Sequence, residues 1–249
     1  MIEHAAAKRT IETHILYSAH LGEERTIKVY LPPGYHPDRR HPVLYCHDGL
    51  EFFTHGRIAT IAQRMQEAGR LVPLVIVGIA VNKERRNDDY GPLGVRREAY
   101  ARFVMDECAP FVEDRYAIAD SPQTRFMAGV SLGAAISLSI HLEDPVWFRR
   151  LLLFSGAYFR PLMERVREAG DMSGLEAYMV VGTGETNVDT KAAERDFLLL
   201  NRRMRDLLET CGADLTYREA EGTHIWGFWQ SQMEDALSWL NHRAARVGE

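Results

Sequence analysis

Cysteine is scarce and scattered in this sequence: three residues in 249, at positions 46, 108 and 211, with no CxxC pair. That spacing supports neither a zinc site nor a dithiol redox motif, and an odd, dispersed set is no disulfide scaffold. No HExxH or comparable ligand cluster occurs, so no metal and no cofactor is expected. Long apolar runs are missing too. None approaches the ~20 residues that span a bilayer, and the opening MIEHAAAKRT has no apolar stretch of signal-peptide length. These absences point to a reduced, cytoplasmic protein with no membrane role. Basic runs are absent as well: 30 Lys and Arg against 35 Asp and Glu leave a net charge of −5. A nucleic-acid partner would need a basic stripe to displace counterions from phosphates, so none is expected.

What is present is an ordinary globular composition, 46% hydrophobic and 26% charged. With no repeat, low-complexity tract or linker-like stretch, residues 1–249 read as one domain. Residues 10–17 and 25–31 alternate in polarity about a turn at Leu21-Gly22-Glu23, and the second run stops at Pro32-Pro33-Gly34. This predicts an antiparallel hairpin. Apolar β-type runs follow at 42–46, 72–81, 125–130, 150–154, 177–181 and 214–219. Helical patterns lie at 57–68, at 95–116 with a break at Pro110, and at 131–142, 190–211 and 228–245. Residues 82–94 read as a polar loop. The alternation predicts an α/β fold: a mostly parallel sheet with the antiparallel hairpin at one edge and helices on both faces. Ligands of such sheets bind beyond the carboxyl ends of the strands, so the residues just after each strand are where chemistry belongs.

Gly129-Val130-Ser131-Leu132-Gly133 fits GxSxG between the β-type run RFMAGV and the small-residue helix LGAAISLSI. This context predicts a strained strand-to-helix turn that lifts the Ser131 hydroxyl above the sheet, at a helix N-terminus that favours a developing anion. A serine hydroxyl needs an adjacent base. The loop Glu221-Gly222-Thr223-His224 follows the last strand, and His224 alone among ten histidines has both the order and the loop type for that role. The acid belongs after the strand EAYMVV. Glu185 is the first carboxylate there and Asp189 the alternative in the same loop; its task is to hold the imidazole in the right tautomer. Either could instead cap a following helix. Acyl transfer also needs donors for the tetrahedral oxygen. These are assigned to the backbone N–H groups of Leu132 and Leu50, the latter in the loop His47-Asp48-Gly49-Leu50, where Gly49 is read as the residue permitting an unusual backbone conformation. His47 and Asp48 are read as shaping that loop.

These segments resemble the "Putative esterase" family of α/β-hydrolases, which contains esterase D (S-formylglutathione hydrolase), enterochelin esterases, feruloyl esterases and mycolyltransferases. The carriers are VYLPPGY, PVLYCHDGLEFF, REAYARFVMDECAPFVEDRYAI, RFMAGVSLGA, LFSGAYF, VVGTGE and EGTHIWGFW, which cover most of the chain. The resemblance implies an α/β-hydrolase fold, a triad of Ser131, Glu185 and His224, and oxyanion donors at Leu50 and Leu132. Two departures stand out: Ala134 where the family usually has a second glycine, and glutamate rather than aspartate at 185.

The expected reaction is hydrolysis of a carboxylic ester, a small-molecule substrate, through an acyl-enzyme. An aromatic acyl group is expected, in a siderophore-like or hydroxycinnamoyl ester, with Trp226 or Trp229 as a stacking surface. A thioester such as S-formylglutathione or acyl transfer to a sugar uses the same chemistry. Arg57, with Arg85, Arg86, Arg96 and Arg97, is the candidate for an anionic group, against the plainer reading of solvated surface charge. The stretch 155–177 is too short for a large lid. The rival of another class is a non-catalytic binding module on a hydrolase fold. Oligomeric state has no signature in the sequence.

Overall fold

The computed structural model describes residues 9–190 and 194–245. β1 (Thr10–Ser18) and β2 (Glu23–Leu31) form the antiparallel hairpin. β3 (Val43–Cys46), β4 (Val75–Ile79), β5 (Arg125–Val130), β6 (Arg150–Phe154) and β7 (Glu176–Gly182) follow. β8 (Val188–Asp189) and β9 (Glu194–Arg195) make a separate two-stranded ribbon, and β10 (Asp214–Ala220) completes an eight-stranded sheet. Its order is β1-β2-β4-β3-β5-β6-β7-β10. β2 joins β4 antiparallel, and every pairing from β4 to β10 is parallel.

The period of two along each strand divides the core between the faces. Val43, Tyr45, Met127, Leu151 and Leu153 point into one cluster, whereas Leu44, Cys46, Phe126, Leu152 and Phe154 point into the other. The second cluster is closed by α1 (Gly49–Thr54), α2 (Ile58–Glu67) and, from the far end of the chain, the helix Trp226–Ala245. The first is closed by α3 (Arg86–Tyr90), α4 (Arg97–Arg102), α5 (Ala109–Arg115), α6 (Leu132–Glu143), α7 (Arg160–Ala169) and α8 (Phe197–Thr210). The helix Trp226–Ala245 is α9. The mostly parallel sheet, edge hairpin and two-sided helical cover are the architecture read from the sequence.

Several boundaries differ from that reading. The apolar run at 72–81 is a strand only over β4: Pro73 has no N–H for the ladder at its start, and beyond its end only the Ala80 N–H still reaches the Thr26 carbonyl, among the described bonds. The 82–94 loop holds α3. The pattern at 95–116 is one helical path in three parts: α4, a π-helical turn Phe103–Cys108, and α5. Pro110 lies directly after the π-helical turn, in the first turn of α5. The helix expected from residue 190 begins at Phe197, where Asp196 caps it by accepting the Leu199 N–H at 2.7 Å. Residues 191–193 of that expected helix, and the opening residues 1–8, lie outside the described residues. α1 and α7 were not anticipated.

Candidate active site

Ser131 joins β5 to α6 with φ 56° and ψ −118°, a conformation foreign to both elements and costly for a residue with a Cβ. Its N–H donates to the Phe154 carbonyl at 2.9 Å, and its own carbonyl accepts from Ala157 at 3.0 Å, so β6 and its loop clamp the turn. Gly129 makes the turn sterically possible: a Cβ there would stand 2.1 Å from the Gly133 carbonyl carbon.

The Ser131 Oγ lies 3.0 Å from Nε2 of His224, which sits between β10 and α9. His224 Nδ1 lies 2.7 Å from Oε2 of Glu185, just beyond β7. Glu185 is fully buried. Its Oε1 accepts from the Gly182 N–H at 2.8 Å and the Ser155 hydroxyl at 2.7 Å, and its main-chain carbonyl accepts from Phe197 N–H at 2.8 Å at the start of α8. The Phe197 ring covers the His224 ring with centroids 4.0 Å apart, and Trp229 meets it edge-on at 5.0 Å. Asp189 stands exposed on β8 at the rim of the cleft.

Leu132 opens α6 and Leu50 is the second residue of α1. First-turn N–H groups have no intrahelical carbonyl to serve, so both are free to face a ligand. The two helices follow β3 and β5, which are paired neighbours. The unusual backbone conformation assigned to Gly49 belongs instead to Asp48, at φ 52° and ψ 42°. Gly49 is needed for a different reason: a Cβ there would stand 2.2 Å from the backbone of Gly78 on β4. Asp48 is held by the Arg86 guanidinium through two bonds of 2.8 and 2.9 Å, and its N–H donates to the Tyr90 hydroxyl at 3.2 Å. His47 Nδ1 lies 2.8 Å from the Tyr100 hydroxyl.

Burial first, and the Arg86 charge second, hold the His47 pKa down at about 3 against an ordinary 6.5. A histidine held neutral in the fold takes up its proton more readily when unfolded. Its contribution to stability is therefore complete above the unfolded pKa and is lost as pH falls from there toward the folded value. The urea midpoint is expected to drop between about pH 7 and about pH 4.5, and to drop less in His47→Gln. An equal drop in the variant would assign the acid sensitivity elsewhere, to groups such as His41 and His141, whose pKa values burial also lowers.

A cleft of about 400 Å³ opens over Ser131 and His224. Trp226, Trp229 and Phe197 supply its aromatic lining, and Asp48, Glu51, Lys83, Arg86 and Asp189 its charged lining. Trp226 is partly exposed there and packs edge-on against Trp229 and Phe52. Trp229 is the buried one of the pair, with its Nε1–H on the Ser155 Oγ at 2.8 Å. Arg57 is not brought to the cleft. It is exposed, in a left-handed conformation ahead of α2, and is not one of the residues that line the cleft. Arg96 is drawn to Glu23 and Asp89, and Arg97 to Glu143. Of the arginines singled out, only Arg86 lines the cleft. Sequence reasoning missed Lys83, Glu51 and Phe197. Glu51 and Phe197 lie in first helical turns that had not been located.

Residues 18–240 match the family model described as "Putative esterase". The chain belongs to that family. The Bacillus subtilis protein YjcH is 33% identical over 231 residues, 92% of this chain and 96% of YjcH. Among solved structures, a ferulic acid esterase superimposes with a TM-score of 0.81 at 18% identity, over 95% of this chain and 99% of that one. The enterobactin esterase of Shigella flexneri gives 0.79 at 19%, over 92% of this chain and 59% of that one. At these identities the likeness is one of fold, and the fold is that of the α/β-hydrolases. Among the described residues of this esterase-family chain, no helix is long and apolar enough to cross a membrane.

Proposed function

We propose that the chain hydrolyses carboxylic esters through an acyl-enzyme on Ser131. The observation that carries this reading is the unbroken series Ser131 Oγ, His224, Glu185 at 3.0 and 2.7 Å. A carboxylate only accepts, so His224 donates from Nδ1 and leaves Nε2 free to take the serine proton. As that proton moves, Ser131 Oγ bonds to the ester carbonyl carbon. The carbonyl oxygen becomes an oxyanion facing the N–H groups of Leu132 and Leu50. The imidazolium, held by Glu185, then protonates the leaving alcohol, and the C–O bond breaks. Water repeats the sequence on the acyl-enzyme, with His224 as base, releasing the acid.

The lining supports one substrate class over the others. Trp226 offers an aromatic face beside the nucleophile, suited to stacking an aryl acyl group. Among the described residues, the cations that line the cleft are paired, Lys83 with Glu51 and Arg86 with Asp48, and Asp189 adds a further negative charge. A neutral aromatic acyl ester of the hydroxycinnamoyl kind suits this lining better than an anionic catecholate complex. The test compares a feruloyl ester, a catecholate siderophore ester, S-formylglutathione and p-nitrophenyl acetate. The feruloyl ester is expected to have the highest kcat/KM. Trp226→Ala is expected to raise its KM about tenfold, a loss of ~1.4 kcal/mol of stacking, while p-nitrophenyl acetate changes by less than about threefold. Equal losses on both substrates would remove Trp226 from acyl recognition.

A further inference from the structure

Behind the Glu185 carboxylate lies a second layer of hydrogen bonds that the acyl-enzyme scheme does not itself use. Ser155, the first residue after β6, is fully buried and takes a left-handed conformation at φ 47°, disfavoured for any residue with a Cβ. Its N–H is held by the Val180 carbonyl at 2.7 Å. The hydroxyl lies 2.7 Å from Glu185 Oε1, and Trp229 Nε1 lies 2.8 Å from that same hydroxyl oxygen.

The direction of every proton in this series follows from chemistry. An indole nitrogen only donates, so the Ser155 oxygen must accept from Trp229. A carboxylate only accepts, so the Ser155 proton must point to Glu185. Oε1 is then occupied by Ser155 and the Gly182 N–H, and Oε2 is left for His224. We propose that Ser155, oriented by Trp229, is a positioning residue that divides the two oxygens of Glu185 and keeps the buried carboxylate aimed at His224. This rests on the reading of Ser131, His224 and Glu185 as the reacting groups. It also accounts for the left-handed turn at 155, which brings a short side chain back under the carboxylate.

Losing the hydroxyl should weaken the hold on the ionised carboxylate, so the Glu185–His224 pair binds its proton at higher pH. The charged groups that line the cleft around the pair, Asp48, Glu51, Lys83, Arg86 and Asp189, are unchanged by a substitution at 155. A moved acid limb would therefore report the carboxylate's own donors.

The experiment measures pH profiles of kcat and kcat/KM on p-nitrophenyl acetate for wild type, Ser155→Ala, Ser155→Gly and Trp229→Phe, with Ser131→Ala alongside. Glycine relieves the left-handed backbone, so it separates a need for the hydroxyl from a need for the turn. Both Ser155 variants are expected to lose about 10- to 100-fold in kcat with little change in KM, and their acid limb should move up by about 0.5 in pH or more. Trp229→Phe should shift the limb the same way by less, and it keeps the question open to measurement if Ser155→Ala fails to fold. Wild-type kcat and an unmoved limb in Ser155→Gly would overturn the proposal. If that happens while Ser131→Ala is inactive, the acyl-enzyme reading survives alone. If Ser131→Ala is fully active, both fall.

Discussion

Replacing Ser131 with alanine is expected to lower kcat by about 10⁴-fold or more on every ester the chain cleaves, with a melting temperature close to wild type. Members of a serine triad act as a unit. Without the nucleophile, the imidazole and the oxyanion donors retain only a small advantage over water. The fold should tolerate the change. The clamp on this turn is made by main-chain bonds to Phe154 and Ala157, which alanine keeps, and the only side-chain bond lost among the described residues is the one to His224 at 3.0 Å. A fluorophosphonate should label wild type at Ser131 and leave the variant unlabelled. Full activity in Ser131→Ala would sink the mechanism. An unlabelled wild type that cleaves none of the esters would return the chain to the reading of a binding module on a hydrolase fold.

Glu185→Gln should cost about 10³- to 10⁴-fold in kcat, whereas Asp189→Asn should change it by less than about threefold. The glutamine amide is nearly isosteric, so the loss would come from the proton it brings. Turned toward His224, its NH₂ donates to Nδ1 and forces the ring proton onto Nε2, which can then no longer accept from Ser131. Turned the other way, it sets its NH₂ against the Gly182 N–H, a donor facing a donor, and against the hydroxyl of Ser155. Asp189 has no such engagement with His224: the imidazole's Nδ1 is taken by Glu185 at 2.7 Å, and Asp189 stands exposed on a two-residue strand. The reverse result, with Asp189→Asn inactive and Glu185→Gln tolerated, would move the acid role to Asp189.

The fold was legible wherever it is made of period. The hairpin alternates, β5 and β6 are continuous apolar runs, and the GxSxG turn stands where one such run meets a small-residue helix. Chain order and loop type also singled out Ser131, Glu185 and His224, which lie in series with His224 within hydrogen-bond reach of each of the other two. What escaped was set by other forces. α1 is six residues long, too short to show a helical period, yet it carries Leu50 and Glu51. The π-helical turn before Pro110 has no compositional signature. Five arginines looked equivalent in one dimension. Which of them faces the cleft depends on Asp48, 38 residues before Arg86 in the chain and bonded to it in space. The unusual conformation expected of Gly49 falls on Asp48, and Gly49 is required instead by the approach of Gly78 from another strand, which no local pattern records.

The left-handed conformations at Asp48, Ser131 and Ser155 have a bearing on how the chain would respond to selection for heat resistance. Each sits just beyond a strand end, and each would relax on replacement by glycine. Two of the three also hold buried partners, Asp48 the Arg86 guanidinium and Ser155 both Glu185 and the Trp229 indole, so glycine there would relieve the backbone and leave a buried charge or donor unpaired. Backbone relief at the rim of this sheet is therefore offset by lost hydrogen bonds and, under the proposed function, by lost turnover. A left-handed residue without that conflict is Arg57, exposed ahead of α2 and away from the cleft, where glycine would relieve the backbone alone.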